Sequence, residues 1–286
     1  MSKAWERFRF HRWAPIAVAA LALAVALQAC GPCAAGSCDA GPADAARQNR
    51  QGLASLAFAP FRRAETGWEV YEPLVAHEIG ARCAVDTPGF AGALAAWQSA
   101  RGLAGSGVLD PPTFAAMKAL WQARRPFVAA NREGCPAPPP EASLAKVPAD
   151  QSYGGKAMLL RPAALAAYGR MLAAARAEVP ELRADRRLMT LFSAYRSPAY
   201  DAARCARDGN CQGVVRASCS PHRTGVAIDL YLGAAPGFGP DASDDANRLF
   251  ITRGGAYRWM VANAGRFGFA PYAFEPWHWE WTGEAI

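Results

Sequence analysis

Two short stretches near the end of the chain, some fifty residues apart, hold its most reactive side chains, and any fold must bring them together. One is Ser220-Pro221-His222-Arg223-Thr224-Gly225-Val226-Ala227-Ile228-Asp229, and the other is Glu275-Pro276-Trp277-His278-Trp279. Beyond the leader there are three histidines, and two of them fall here. Asp229 sits in the apolar, strand-like run Val226 to Leu232, where a buried carboxylate has to be paired or bound. Two imidazoles and a carboxylate are a donor set that a catalytic zinc uses, with one position left open. His222, Asp229 and His278 are therefore the candidate ligands of one Zn²⁺, and Glu275 the candidate general base of a hydrolase. Glu275 and His278 are three residues apart, so a regular strand would turn them to opposite faces. Pro276 removes a ladder donor and restricts Glu275, and a bend there is needed to bring both into one pocket.

The chain begins with a leader over 1–29. Residues 1–12 are basic, and Trp13 to Leu27 is an apolar run of Ala, Leu and Val, as in a signal peptide. That run is shorter than the roughly 20 residues a membrane-spanning helix needs. Leu27-Gln28-Ala29-Cys30 resembles a bacterial lipobox, apart from Gln28 at a position usually held by a small residue. The resemblance implies lipidation of Cys30 and an exported, membrane-anchored lipoprotein of the cell envelope, on the periplasmic side in a Gram-negative cell. Eight cysteines in an exported chain read as disulfides.

Composition excludes other classes. With 52% hydrophobic and 19% charged residues the chain is not globally disordered. Its net charge is +7, but Lys3, Arg7, Arg9 and Arg12 against Glu6 put three of those charges in the leader. The mild remainder, with no basic helix carrying interleaved aromatics, gives no nucleic-acid footprint.

Residues 30–65, rich in Ala and Gly without a clear period, read as a flexible tether in which Cys33 and Cys38 can close a small loop. Residues 66–135 read as a three-helix module. Leu74, Val75 and Ile79 mark its first helix, and Phe90, Leu94 and Trp97 one face of the second. Thr113 is the expected N-cap of a third, which carries Phe114, Met117, Leu120 and Trp121. A Cys83–Cys135 bridge would close a loop of about 50 residues, worth roughly 4 kcal/mol in the chain-entropy model. The prolines of 136–150 make a stiff linker. Residues 151–286 read as α+β, a small mainly antiparallel sheet with helices. Leu165, Tyr168, Leu172 and Ala175 share a helical face, and Leu188 to Tyr195 and Trp277 to Trp281 are strand-like. On the last strand His278 and Glu280 point away from the three tryptophans. Cys205 with Cys211 is the first expected pairing near the site, and Cys205 with Cys219 the second; the connectivity of Cys33, Cys38 and these three stays open.

The order Phe90…Leu94…Trp97-Gln98…Gly102-Leu103…Gly107…Leu109-Asp110…Thr113…Leu120 resembles the peptidoglycan-binding-like module of cell-wall enzymes. Ser220-x-His222-x-x-Gly225-x-Ala227-x-Asp229 with Glu275-x-x-His278 resembles the zinc D-Ala-D-Ala carboxypeptidase and dipeptidase family of VanY type. Ser193-Ala194-Tyr195-Arg196-Ser197 and Asn263-Ala264…Arg266-Phe267-Gly268-Phe269 fit the same pattern, which spans 155–282. The resemblance implies His222, Asp229 and His278 as ligands and Glu275 as base. It also implies Arg196 as the cation at the scissile carbonyl and peptidoglycan stem peptides as substrates; Ser220 is a candidate substrate contact or a turn residue. The chain departs from it in the Cys205…Cys211…Cys219 insertion, and in Tyr200-Asp201 where relatives carry an amide residue. A D-Ala-D-Ala carboxypeptidase is the first expectation. An endopeptidase cutting L-Ala-D-Glu or another stem bond, a catalytically silent wall-binding protein and a non-haem iron oxygenase are the alternatives.

Overall fold

The computed structural model describes residues 37–209, 211 and 219–286. The leader, Cys30 and Cys33 lie outside the described residues. Gly36–Ile286 form one compact unit, an α+β fold. Among the described residues no helix is long and apolar enough to cross a membrane.

The described residues open with α1 (Ala43–Ser55), the short strands β1 (Ala57–Phe58) and β2 (Glu65–Thr66), and α2 (Glu72–Glu78). Helices α3 (Pro88–Ser99), α4 (Pro111–Ala123) and α5 (Pro126–Ala130) follow, then β3 (Ala145–Lys146) paired with β4 (Leu159–Leu160). Next come α6 (Pro162–Glu178), α7 (Pro180–Ala184), β5 (Leu191–Ser193), α8 (Pro198–Arg207) and β6 (Ala227–Leu230). The chain closes with α9 (Asp245–Arg253), α10 (Gly255–Asn263), β7 (Phe269–Pro271) and β8 (His278–Trp281). Helices α3 to α8 all begin on a proline, which fits a first helical residue because its missing N–H would be unpaired there anyway.

Several sequence expectations are corrected. The tether expected over 30–65 contains α1, whose Ala45 and Ala46 are buried and which packs on α3. Asn49 of α1 is buried too; it donates to the Gly107 carbonyl at 2.8 Å and accepts from Leu109 N at 2.9 Å. A helix that docks through alanines and one amide has no bulky apolar stripe, so periodicity misses it. The expected Thr113 cap is Asp110, whose carboxylate accepts from Thr113 N at 2.8 Å, and Pro111 starts the helix. The cysteines pair as Cys38–Cys83 and Cys135–Cys219, which overturns both Cys83–Cys135 and Cys33–Cys38. Each bridge ties sequence-distant segments and is worth about 4–5 kcal/mol in the chain-entropy model. Cys205–Cys211 pairs as first expected, which leaves Cys205–Cys219 excluded. Three disulfides among the described residues fit an exported protein.

The main sheet runs β5-β6-β8-β7, antiparallel throughout. Every residue of β6 and β8 is buried, so the sheet is covered on both faces. The helical module shares a continuous core with it through Tyr71, Phe114, Phe61 and Phe274. Two buried ion pairs cross from one half to the other. Arg248 of α9, fully buried, meets Glu65 of β2 at 3.1 Å and donates to the Tyr71 hydroxyl at 2.6 Å and the Phe274 carbonyl at 2.9 Å. Arg125, just ahead of α5, meets Glu280 of β8 at 2.6 Å. The linker expected over 136–150 also belongs to this body: Val147 is buried, and β3 pairs with β4.

Candidate metal centre

The register of the central strands builds the site. Asp229 of β6 lies opposite His278 of β8 and, on its other side, opposite Ser193 of β5. The strand expected to begin at Trp277 begins at His278, because a tight turn precedes it. His278 N donates to the Glu275 carbonyl at 2.9 Å, with Pro276 and Trp277 at the turn's centre. Proline suits the second position of such a turn. The turn supplies the bend that the Glu275-x-x-His278 spacing requires, and both residues line one cleft.

His222 arrives from a single 3₁₀ turn, Pro221–Thr224. Ser220 caps it, its hydroxyl accepting from His222 N at 3.3 Å, and Gly225 ends it at φ 72°. That left-handed conformation is strained for any residue with a Cβ. The side chains of Leu144 and Arg161 also stand 3.2 Å from where a Cβ would sit.

The ligand atoms of His222, Asp229 and His278 all lie within 4.8 Å of one another, and all three residues are buried. His222 Nε2 is 3.1 Å from Asp229 Oδ2, and His278 Nδ1 is 2.9 Å from Asp229 Oδ1. Donors held tetrahedrally about 2.0–2.1 Å from one zinc would stand roughly 3.3 Å apart. The far ring nitrogens are also fixed. His222 Nδ1 lies 2.7 Å from the Ala194 carbonyl and His278 Nε2 lies 3.4 Å from Glu280 Oε1. Ring N–H groups aimed at a carbonyl and a carboxylate are how metal-binding imidazoles are oriented.

The electrostatics favour a cation there. With its Nδ1 proton given to Ala194, neutral His222 turns a lone pair toward an Asp229 oxygen, which repels unless a positive charge lies between them. A proton serves poorly, because burial, helped by Arg196, pushes the His222 imidazolium down to about 4. Burial opposes the Asp229 carboxylate, but the two histidines outweigh it and hold its pKa well below the usual range. Burial also opposes charged His278, yet its hydrogen bonds to Asp229 and Glu280 push it up to about 9. Two nitrogens and one oxygen at this spacing fit zinc's preferences. Glu275 is pushed up to about 7, chiefly by burial, with His278 opposing and Asp229 reinforcing. A carboxyl poised near neutrality is suited to passing protons.

Arg196 leaves the end of β5 and is held as a fork. Its Nε meets Asp201 at 2.8 Å, its Nη1 the Ser193 hydroxyl at 2.7 Å, and its Nη2 the Ser220 hydroxyl at 2.9 Å. Nη1 is also 3.7 Å from Asp229. A guanidinium has five N–H groups, so some remain for a ligand in the cleft. Ser220 thus serves as a cap and as an anchor for Arg196.

Four residues with roles here were not singled out as site residues in the sequence. Asp201, the departure from the amide expected in relatives, is the buried clamp on Arg196. Glu280 had a signal, as a charge in an apolar strand on the face of His278. Tyr272, whose ring lies edge-on to His278 with centroids 6.0 Å apart, and Arg125, far away in sequence, had none. The cleft holds about 400 Å³; Arg62, Gln122, Arg125 and Phe127 of the N-terminal half line it together with the candidate ligands, Arg196 and Glu275.

No family model matches the chain, and no curated protein matches it. One solved structure that does is that of DacB from Streptococcus pneumoniae D39, 16% identical, covering 52% of this chain and 86% of that one with a TM-score of 0.30. At that score the likeness carries no argument about function.

Proposed function

We propose that this protein is a zinc peptidase that trims peptidoglycan stem peptides, most simply by removing a terminal D-Ala. The observation that carries the reading is the convergence of His222, Asp229 and His278 on a common point in a cleft that Glu275 and Arg196 also line. The sequence motifs supply the substrate class. When bound, the ion supplies Lewis acidity, polarising the scissile carbonyl and making water acidic enough to attack near neutral pH. Glu275 takes the proton of the attacking water at its carboxylate and delivers it to the leaving amine. Arg196, held rigid by Asp201, Ser193 and Ser220, donates to the oxygen that gains charge at the tetrahedral stage. Its preset geometry means that little reorganisation is needed as charge develops. The disulfides support export, which such a role requires. Anchoring through a lipidated Cys30 belongs to the same proposal.

The test is digestion of defined muropeptides, pentapeptide and cross-linked, by zinc-loaded protein, followed by mass spectrometry. Loss of one terminal D-Ala is the expected result. New ends within the stem would make it an endopeptidase, and no change in any wall fragment would favour a silent wall-binding protein.

A further inference from the structure

We infer that the helical N-terminal half is a working part of the metal site, and that Arg125 is a positioning residue that holds ligand His278 through Glu280. The inference rests on the metal reading above.

The connection is continuous and buried. Arg125 Nε donates to Glu280 Oε1 at 2.7 Å, and Nη2 reaches the same oxygen at 2.6 Å. Phe127 N, in the first turn of α5, donates to Glu280 Oε2 at 2.9 Å. Glu280 Oε1 is in turn 3.4 Å from His278 Nε2, while His278 Nδ1 faces Asp229. The Arg125 side chain is 6% exposed and that of Glu280 is fully buried, so water does not screen this chain of contacts. A second contact supports it: the Arg125 guanidinium lies 4.0 Å from the Tyr272 ring centroid, and that ring meets His278 edge-on.

A purely structural reading explains this arrangement poorly. A buried ion pair is at best a modest source of stability, and apolar residues of the same volume often do as well. Its value here lies in where the carboxylate points. Glu280 needs a fixed orientation to accept from His278 Nε2, which leaves Nδ1 as the ligating nitrogen. Without Arg125 it would be a buried charge two residues along the strand from the ligand, its Oε1 released while only Phe127 N holds Oε2. Carboxylates in this position typically change metal affinity by about 10- to 100-fold when altered. The N-terminal half of the chain thus completes the site, whether or not it also touches glycan.

The test is a zinc affinity measurement by chelator competition on the full chain, comparing wild type with R125M, R125K and E280Q. The visible spectrum of the cobalt-loaded protein reports ligand geometry. R125M and E280Q are expected to bind zinc about 10- to 100-fold more weakly, with altered cobalt bands, and R125K to recover part of the loss. Unchanged affinity and cobalt bands in R125M would overturn the role of Arg125 while leaving the metal reading intact. Absence of zinc binding by wild type would overturn the metal reading itself. Should R125M fail to fold, E280Q, which keeps the side chain's shape, decides the matter: unchanged zinc affinity and cobalt bands overturn the inference, and a loss supports it.

Discussion

Asp229 and His278 are registered partners across β6 and β8, and the carboxylate Oδ1 of one lies 2.9 Å from the imidazole Nδ1 of the other. Two candidate ligands fixed by a sheet register need no loop to close before an ion can bind. Replacing either is therefore expected to disable metal binding without unfolding the sheet. H278A should lower zinc affinity by more than the roughly 100-fold expected of outer-shell changes, with far-UV circular dichroism unchanged.

Metal binding should release a proton. In the metal-free protein His278 keeps its proton up to about pH 9, because Asp229 and Glu280 accept hydrogen bonds from it against the cost of burial. Zinc must displace that proton, so affinity should rise with pH until about 9 and fall on acidification. Calorimetric titration at pH 7.5 in buffers of different ionisation enthalpy should show about one proton released per ion. The same raised pKa makes charged His278 stabilise the metal-free fold below its unfolded value of about 6.5. That contribution is lost as the pH rises through 9.

Glu275→Gln should retain zinc and lose activity by about 10²- to 10⁴-fold, the usual worth of a positioned acid–base group. Only the ionised carboxylate can accept a proton, so activity should rise with pH through the pKa of Glu275. Burial sets that value at about 7, and a bound cation lowers it, which places the acid limb of kcat/KM at or below pH 7. The limb should vanish from the residual activity of the Gln variant.

Cys135–Cys219 joins the end of the helical half to the residue just before Ser220. Removing it as C135S/C219S should cost about 2–5 kcal/mol in urea unfolding and weaken zinc binding as the His222 turn loosens. Losing stability alone would mean that the turn is held by Ser220 and Gly225 without help.

The two halves should melt together. Arg248 is fully buried against Glu65 and Tyr71, so R248M leaves Glu65 an uncompensated buried charge, at about 3–5 kcal/mol. Calorimetry should show one transition for the wild type, shifted down as a whole in R248M. Two separable transitions would contradict the shared core.

What the sequence made legible was local. The candidate ligands and the candidate base stood out as imidazoles and carboxylates at short spacings, Asp229 within an apolar run, and Arg196 through the resemblance carried by Ser193–Ser197. The α+β class followed from alternation around Trp277–Trp281 and from helical faces such as Tyr168 and Leu172. Long-range facts were hidden. Nothing in the period of residues 43–55 distinguishes an alanine face docked on α3 from a solvated tether. Arg125 and Glu280 are 155 positions apart, and nothing around Arg125 marks it as the partner of Glu280. The pairing of Cys38 with Cys83 depends on α1 packing beside α3, a contact that spacing does not encode.

X-ray absorption at the zinc edge on the purified, zinc-titrated protein reads the ligand set itself. One ion per chain is expected, with two imidazole nitrogens and a carboxylate oxygen at about 2.0–2.2 Å and a further light-atom ligand from solvent or substrate. No zinc bound at micromolar concentration, or a first shell containing sulfur, would contradict it.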